Sequence, residues 1–202
     1  MSTPSEEPRW LEPFSAILLG LAATLTAIAA YMSSVEGGDE DEARAGSIEE
    51  TAKAYALTNI ATQTRAADQA MFAAYAQSAF ADTGEGLPEY LLGMMRPVLN
   101  EAVLAWTDTP DDGPDTPFEM AEYTVESEVE AEVARAAAEK HDAKAQAAAE
   151  KGDNYDKSTI YLALALFFAG IATTFRSRRY SGLLLSVSTI AVVVGAIQLA
   201  TA

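Results

Sequence analysis

The segment FSAILLGLAATLTAIAAYM, residues 14–32, contains no Asp, Glu, Lys, Arg or His. Alanine and leucine, which favour the α-helix, make up much of it. At about 1.5 Å per helical residue, a segment of this length covers the roughly 30 Å hydrocarbon core of a bilayer. We therefore predict that residues 14–32 form a transmembrane helix.

Two segments near the carboxyl end have the same character. Residues 158–175, STIYLALALFFAGIATTF, and residues 182–200, GLLLSVSTIAVVVGAIQLA, also lack those five residue types. Aromatic residues flank the segments, as expected of rings that lie at the level of the lipid headgroups. The sequence predicts an all-α membrane protein with three transmembrane helices and an extracytoplasmic acidic helical hairpin.

The turn between the second and third predicted spans, residues 176–181, sets the expected orientation. It contains three arginines: Arg176, Arg178 and Arg179. Short loops rich in Lys and Arg stay in the cytoplasm. We therefore predict a multi-pass protein of the cell membrane, with a cytoplasmic leader at residues 1–13 and an extracytoplasmic section at residues 33–158.

A cleaved signal peptide is the alternative for the first span, because Ala27-Ile28-Ala29 offers small residues at the spacing of a cleavage site. The leader MSTPSEEPRWLEP contains one Arg and three Glu. A signal peptide starts with a positive region and has an apolar core of about 7 to 15 residues. An uncleaved membrane anchor is therefore favoured.

Acidic residues dominate the section between the first two spans. The chain has 30 Asp and Glu against 13 Lys and Arg, which gives a net charge of -17, and residues 33–158 hold most of the acid. Binding to nucleic acid needs clustered Lys and Arg, so no nucleic-acid partner is expected. The acid instead keeps the extracytoplasmic section soluble.

The chain offers little for catalysis. It has no cysteine and one histidine, His141, which excludes thiol chemistry and argues against imidazole metal sites and Ser-His-Asp hydrolysis. Glutamates such as Glu122, Glu126 and Glu130 line the edge of a straight helix, whereas Ca²⁺ needs oxygens that converge from a shaped loop. We predict no enzyme activity, no catalytic, cofactor or metal site, and no small-molecule substrate.

The extracytoplasmic section is predicted to begin with an acidic flexible hinge at residues 33–46, because paired glycines and an acid run cannot bury a core. A helical hairpin should occupy residues 47–151. Its first helix starts at the capping box of Ser47, and its second at the similar pattern of Thr116.

Gly152-Asp153-Asn154 should break or kink the second helix. This helix has a narrow apolar seam of Val125, Val129, Val133, Ala136, Ala137 and Ala143.

The tip of the hairpin, residues 83–110, is the least polar part outside the membrane, and Pro97 should divide it into two short helices. Two interpretations remain open: a helical cap folded onto the ends of the hairpin, or a docking site for a partner. The candidate partner-binding residues are Tyr90, Leu91, Leu92, Met94, Met95 and Trp106.

Within the predicted spans, the absence of ionisable groups argues against ion-coupled transport, proton relays and voltage sensing. Small residues recur at a spacing of four and permit close helix contacts. The predicted helix-packing residues are Ala23, Ala27, Ala165, Ala169, Ala191 and Gly195.

Three local patterns carry a family resemblance: Ala67-Asp68-Gln69 before a helix rich in alanine and aromatic residues, Asn154-Tyr155-Asp156 before the closing pair of spans, and Arg178-Arg179 in their turn. With the order of the spans, they resemble an uncharacterised bacterial family of three-span membrane proteins, a domain of unknown function. Residues 83–115 depart from its pattern. The resemblance implies the layout and no functional site.

The function expected from these features is that of an integral membrane structural, assembly or accessory subunit that acts through protein-protein contacts. Its partners would be the lipid bilayer and either copies of itself or other membrane-protein subunits. The alternative is a homo-oligomeric channel or pore component with an acidic vestibule that attracts cations. Its passage would be lined by Thr24, Thr26, Ser186 and Ser188.

Overall fold

The computed structural model describes residues 11–80, 86–109, 113–175 and 177–202. Five helices and one 3₁₀ turn make up the regular structure of these residues, which confirms the all-α prediction. They are α1 (Leu11–Phe80), α2 (Leu87–Met94), α3 (Pro97–Thr107), the 3₁₀ turn Pro117–Glu119, α4 (Glu126–Ala172) and α5 (Arg178–Thr201). Most of the leader, Arg176 and the two ends of the predicted tip lie outside the described residues.

The chain forms two compact units. The terminal unit comprises the described residues of Met1–Gly46 and Lys140–Ala202, and the central unit comprises those of Ser47–Glu139. The terminal unit holds the three predicted spans. The central unit holds α2, α3 and the 3₁₀ turn, together with the adjoining parts of α1 and α4.

The predicted hinge at residues 33–46 is wrong, because α1 is helical throughout that segment. An ion pair between Arg44 and Glu40, with Nη2 and Oε1 2.7 Å apart, links successive turns there. Ala43 is buried, and the Ser33 hydroxyl donates a hydrogen bond of 2.7 Å to Asp156 of α4. Each glycine costs a helix about 1 kcal/mol, and these contacts offset that cost. The predicted helix start at Ser47 is wrong for the same reason.

The predicted start of the second helix at Thr116 is also wrong. Residues Pro117–Glu119 form one 3₁₀ turn, Thr116 makes no capping bond to a backbone amide, and α4 begins only at Glu126. Pro117 is buried and the backbone is extended at Met120, so the chain leaves the helical path after one turn.

The predicted break at Gly152-Asp153-Asn154 does not occur, because α4 continues to Ala172. A Cβ placed on Gly152 would lie 3.9 Å from the Cβ of Glu36, so the glycine lies against α1. Lys151 pairs with Glu36 at 3.8 Å. Packing against α1 therefore holds this segment of α4 helical, although its composition favours a break.

Within the terminal unit, α1 and α4 run antiparallel with a fixed register. Ser33 meets Asp156, Glu36 meets Lys151, and Gly46 meets His141, so positions rise along α1 as they fall along α4. His141, expected to be an exposed helical residue, is half-buried in the contact between α1 and α4. Its ring occupies the space that a side chain on Gly46 would fill.

We expect the substitution Gly46→Ala to destabilise the terminal unit although alanine favours the helix. An added Cβ would lie 2.7 Å from Nδ1 of His141 and 3.1 Å from its Cγ, so the ring must move out of the contact between α1 and α4. Overpacking costs about 1–3 kcal/mol, against a gain of about 1 kcal/mol in helix propensity. Thermal unfolding of the full chain in detergent, followed by circular dichroism, should show a lower melting temperature for Gly46→Ala.

The double variant Gly46→Ala/His141→Ala provides the control for this clash, because it removes the ring. We expect the double variant to recover at least the stability of His141→Ala alone. A rise in melting temperature for Gly46→Ala in the presence of His141 would contradict the close approach of α1 and α4 at this point.

Among the described residues, two helices are long and apolar enough to cross a membrane. They are the helix of residues Pro13–Ala79, within α1, and the helix of residues Arg179–Thr201, within α5. Helix α4 ends at Ala172, so a stretch of α4 that ends there and is long enough to cross a membrane must include Asp156 and Lys157. Length and composition therefore identify two of the three predicted spans. Core helices of soluble proteins and signal sequences also meet this criterion.

Candidate functional site

The predicted tip folds as two short helices separated at Pro97, as expected. Helix α2 ends where Met95 takes an extended conformation, and Pro97 occupies the first turn of α3. Gly86 precedes α2 with a φ of 90°, a left-handed conformation that glycine adopts without strain. The side chain of Asn100 donates a hydrogen bond of 2.7 Å to the carbonyl of Leu92, which closes the corner between the two helices.

Helix α3 packs into an apolar cluster of the central unit. Leu99, Ala102 and Val103 are completely buried. The ring of Phe72, on α1, makes edge-to-face contacts with the rings of Trp106 and Phe118, at centroid distances of 5.7 and 5.6 Å. The cluster also contains Ala61, Met95, Tyr123 and Val125, with Met71, Tyr75, Leu92, Val98 and Met120 packed against it. This arrangement favours the interpretation of the tip as a helical cap.

The six candidate partner-binding residues lie in different environments. Tyr90 and Met94 are 65% and 55% exposed. Leu91 and Leu92 are half-buried. Met95 is buried in the apolar cluster, and Trp106 is half-buried with its indole N–H donating to the carbonyl of Pro114 at 2.8 Å. Tyr90 and Met94 thus remain accessible to a partner, whereas Met95 and Trp106 stabilise the cap, and partner binding at this surface stays a prediction.

An ionic network with a buried carboxylate at its centre links this cap to α1. The side chain of Asp68, on α1, is 4% exposed. Its carboxylate accepts hydrogen bonds from Nε of Arg96 at 3.0 and 3.2 Å and from Nη2 at 2.5 Å, in a forked geometry. The hydroxyl of Tyr123 donates to the same carboxylate at 3.0 Å. Three distant segments of the chain therefore meet at one carboxylate.

This network was not predicted from the sequence. A usable signal exists, because Asp68 lies seven residues from both Ala61 and Tyr75, which contribute to the apolar cluster. A spacing of seven keeps residues on one face of a helix. An acidic residue on such a face needs a buried partner. The sequence gives no indication that the partner is Arg96, because α2 separates the two.

The network shifts the pKa of both partners of Asp68. The hydrogen bonds to the Asp68 carboxylate raise the pKa of the Arg96 guanidinium. Burial, followed by the hydrogen bond to Asp68, raises the pKa of the Tyr123 hydroxyl above its usual value of 10.0. Both shifts favour the proton-bound form in the folded state. The network therefore acts as a structural lock that is fully formed at neutral pH.

We expect the central unit to lose stability as the pH rises above about 10. A group whose pKa is raised by folding stabilises the fold below its unfolded pKa and loses that contribution as the pH passes its folded pKa. Urea unfolding of the full chain in a Trp10→Phe background, followed by Trp106 fluorescence from neutral pH to about pH 11, should show this loss. The variant Tyr123→Phe should be less stable at neutral pH by about 1 kcal/mol and should show a weaker loss at alkaline pH.

The variant Tyr90→Phe is the matched control, because Tyr90 is exposed. It should keep the alkaline loss of the unchanged protein. An identical pH profile for Tyr123→Phe and Tyr90→Phe would contradict a role for the Tyr123 hydroxyl in the lock.

The predicted helix-packing residues are only partly in packed positions. Ala165, Ala169 and Gly195 are buried and Ala191 is half-buried. Ala23 and Ala27 are exposed. The buried residues of this part of α1 are instead Ser15, Leu18, Ala22 and Ala29. Both sets have spacings typical of one helix face, so spacing alone does not distinguish them.

The turn between α4 and α5 is short, as the sequence predicts. The hydroxyl of Ser181 donates to the carbonyl of Ala172 at 2.8 Å, which ties the start of α5 to the end of α4. Of the three arginines on which the predicted orientation rests, Arg179 is exposed, Arg178 begins α5, and Arg176 lies outside the described residues. The side of the membrane on which this turn lies stays a prediction.

Among the residues that the structure describes, no three acidic or histidine side chains are placed to hold a metal ion. Comparisons of the chain with family models, with curated proteins and with solved structures give no match. The family resemblance therefore rests on the three local patterns of the sequence and on the order of the predicted spans.

Proposed function

We propose that the protein is a three-span subunit of the cell membrane whose central unit contacts other proteins outside the cytoplasm. In this proposal the chain has a structural, assembly or accessory role and performs no reaction itself. The terminal unit anchors it in the bilayer. The central unit, held together by the Asp68–Arg96–Tyr123 lock, presents a rigid surface to partners.

The observation that carries the proposal is the distribution of side chains in the terminal unit. Its core contains small residues, including Ala22, Ala165 and Ala169, which are completely buried. Large aliphatic and aromatic side chains are exposed instead on all three helices. They include Ile17, Leu21 and Ile28 on α1, Ile160, Leu164 and Phe167 on α4, and Leu183, Ile190 and Ile197 on α5. An apolar surface of this extent needs a partner, and hydrocarbon chains supply one on all sides.

The same distribution supports α4 as the third span. Ile160, Leu164 and Phe167 are 61%, 45% and 58% exposed, whereas Leu162 on the opposite face is completely buried. Hydroxyls in this segment donate to backbone carbonyls of the preceding turn, as Ser158 does to Asn154 at 3.0 Å. Polar groups satisfied within the helix suit a segment in hydrocarbon.

The position of Ser188, one of the candidate pore-lining residues, argues against the channel alternative. Ser188 is buried and donates to the carbonyl of Ala165 at 2.7 Å. Thr24, Thr26 and Ser186 donate to carbonyls four residues earlier on their own helices. A hydroxyl that donates in this way keeps its oxygen lone pairs, so the feature that argues against a pore is the burial of Ser188, which holds α5 to α4.

Purification of the full chain in mild detergent, followed by native mass measurement, tests the proposal. We expect a complex that contains different subunits in a defined ratio. The paired substitution Tyr90→Gln/Met94→Gln, at exposed positions of the tip, should release a subunit that docks there, and Leu164→Met, on the apolar exterior, serves as the control. A clean monomer contradicts the proposal, and a closed homo-oligomer supports the channel alternative.

A further inference from the structure

The two flanks of the helical hairpin in the central unit differ in chemistry. On one flank, Arg135 donates to the hydroxyl of Thr58 at 2.8 Å, and Arg65 pairs with Glu128 at 2.7 Å. Arg135 also pairs with Glu132. This flank therefore carries balanced, paired charge.

The opposite flank carries exposed β-branched residues. The contacts of Thr58 with Arg135 and of Arg65 with Glu128 fix the antiparallel register, which places Ile60 at the level of Val133. Ile60 directly precedes Ala61, and Val133 directly precedes Ala134. Both alanines are buried between the two helices, so Ile60 and Val133 lie on the flank away from Arg135. Val129 lies one turn before Val133 on the same helix.

We call Ile60, Val129 and Val133 the valine strip. Their side chains are 53%, 60% and 66% exposed. β-Branched side chains have a lower helix propensity than Ala, Glu or Lys, so at exposed positions they do not stabilise the helix. They would contribute to binding if another surface covered them, because burial removes their apolar area from water.

Unpaired carboxylates border the valine strip. Glu126 and Glu130 precede Val129 and Val133 on α4, and both are exposed. Neither forms an ion pair with any described residue, whereas Glu128 and Glu132 are paired with arginines. A surface that covers the strip would therefore gain from Lys or Arg at its edges.

We propose that the valine strip is the docking surface for an amphipathic helix of another protein, with an apolar row flanked by Lys and Arg. The apolar row would cover Ile60, Val129 and Val133, and the basic side chains would pair with Glu126 and Glu130. A second copy of this chain fits less well, because acidic residues greatly outnumber basic ones in the central unit. This inference rests on the proposed role in protein contacts and names the partner's chemistry.

Two designed helical peptides of roughly 20 residues, about 30 Å long, provide the probes. Both carry the same row of Leu and Val at spacings of three and four, flanked by Lys in one and by Glu in the other. Fluorescence anisotropy with the full chain in detergent measures binding. We expect the Lys peptide to bind, the Glu peptide not to bind, and Val129→Gln/Val133→Gln to weaken the Lys peptide at least tenfold.

Tyr55→Gln is the matched control for the strip. Tyr55 is 69% exposed, and it lies on the flank of Thr58 and Arg65, so its substitution removes an exposed apolar side chain elsewhere on the hairpin. The Lys peptide should bind Tyr55→Gln as tightly as the unchanged protein. Glu126→Gln/Glu130→Gln should reduce both the affinity and its dependence on salt.

Equal weakening by Tyr55→Gln and by Val129→Gln/Val133→Gln would overturn the proposal, because it would indicate attraction to the acidic unit as a whole. Self-association that Val129→Gln/Val133→Gln abolishes would identify a second copy as the occupant and would also overturn it. The native mass measurement of the purified protein does not use these peptides. Failure of the peptide experiment therefore overturns the docking proposal and leaves the proposed membrane-subunit role to its own test.

Discussion

The variant Asp68→Ala is expected to lower the free energy of unfolding of the central unit by about 2–3 kcal/mol. It removes the shared acceptor of Arg96 and Tyr123 and leaves the buried Tyr123 hydroxyl without a partner. Half of the Arg96 side chain remains near water, at 42% exposure, which limits the cost of its lost partner. Helix α3 would lose its polar attachment to α1 and keep only its apolar contacts.

Urea unfolding of the full chain in detergent, followed by Trp106 fluorescence in a Trp10→Phe background, measures this loss. Asp41→Ala is a matched control on α1, because Asp41 is exposed and forms no ion pair with a described residue. The double variant Asp68→Ala/Arg96→Ala should cost less than the sum of the two single changes. Equal stability of Asp68→Ala and Asp41→Ala would show that the network does not stabilise the cap.

The variant Gly195→Leu is expected to destabilise the terminal unit by about 3 kcal/mol, in the upper part of the range for overpacked sites. A Cβ at Gly195 would lie 2.9 Å from Cγ of Leu162 and 3.4 Å from the carbonyl oxygen of Ser158. Leu162 is completely buried, so it has no free space to enter. Helix α5 would have to move away from α4.

The melting temperature of the full chain in detergent, read as the loss of a monodisperse peak in size-exclusion chromatography, measures the effect. Gly20→Leu is the matched control, since a Cβ on Gly20 meets nothing within 4 Å. We expect Gly195→Leu to melt well below the unchanged protein and Gly20→Leu to remain close to it. Equal shifts for the two variants would contradict close packing of α5 on α4.

The sequence predicted the features that depend on local composition. Runs without ionisable residues predicted three spans, and two of them lie in helices that are long and apolar enough to cross a membrane. Pro97 correctly separated α2 from α3. Local composition failed for the acidic segment with Gly37 and Gly38, which packs along α4 as part of a continuous helix. Tertiary contacts outweigh propensity there, and neither glycine reveals those contacts.

The face of a helix that is buried could not be predicted from spacing. On α4, Val129 and Val133 fitted an apolar seam, but the residues buried in the central unit are Ala131, Ala134 and Ala138. Both rows have spacings of three and four, and the register against α1 decides between them. The pairing of Asp68 with Arg96 and Tyr123 likewise depends on contacts between residues 28 and 55 positions apart.

Cysteine accessibility tests most directly whether the chain crosses the bilayer three times. The protein has no cysteine, so Ala136→Cys in the central unit and Tyr180→Cys in the first turn of α5 each introduce one exposed thiol. An impermeant maleimide added to intact cells should label Ala136→Cys, and should label Tyr180→Cys only after permeabilisation. Labelling of both positions from the same side would contradict α4 as a span and, with it, the proposed three-span anchor.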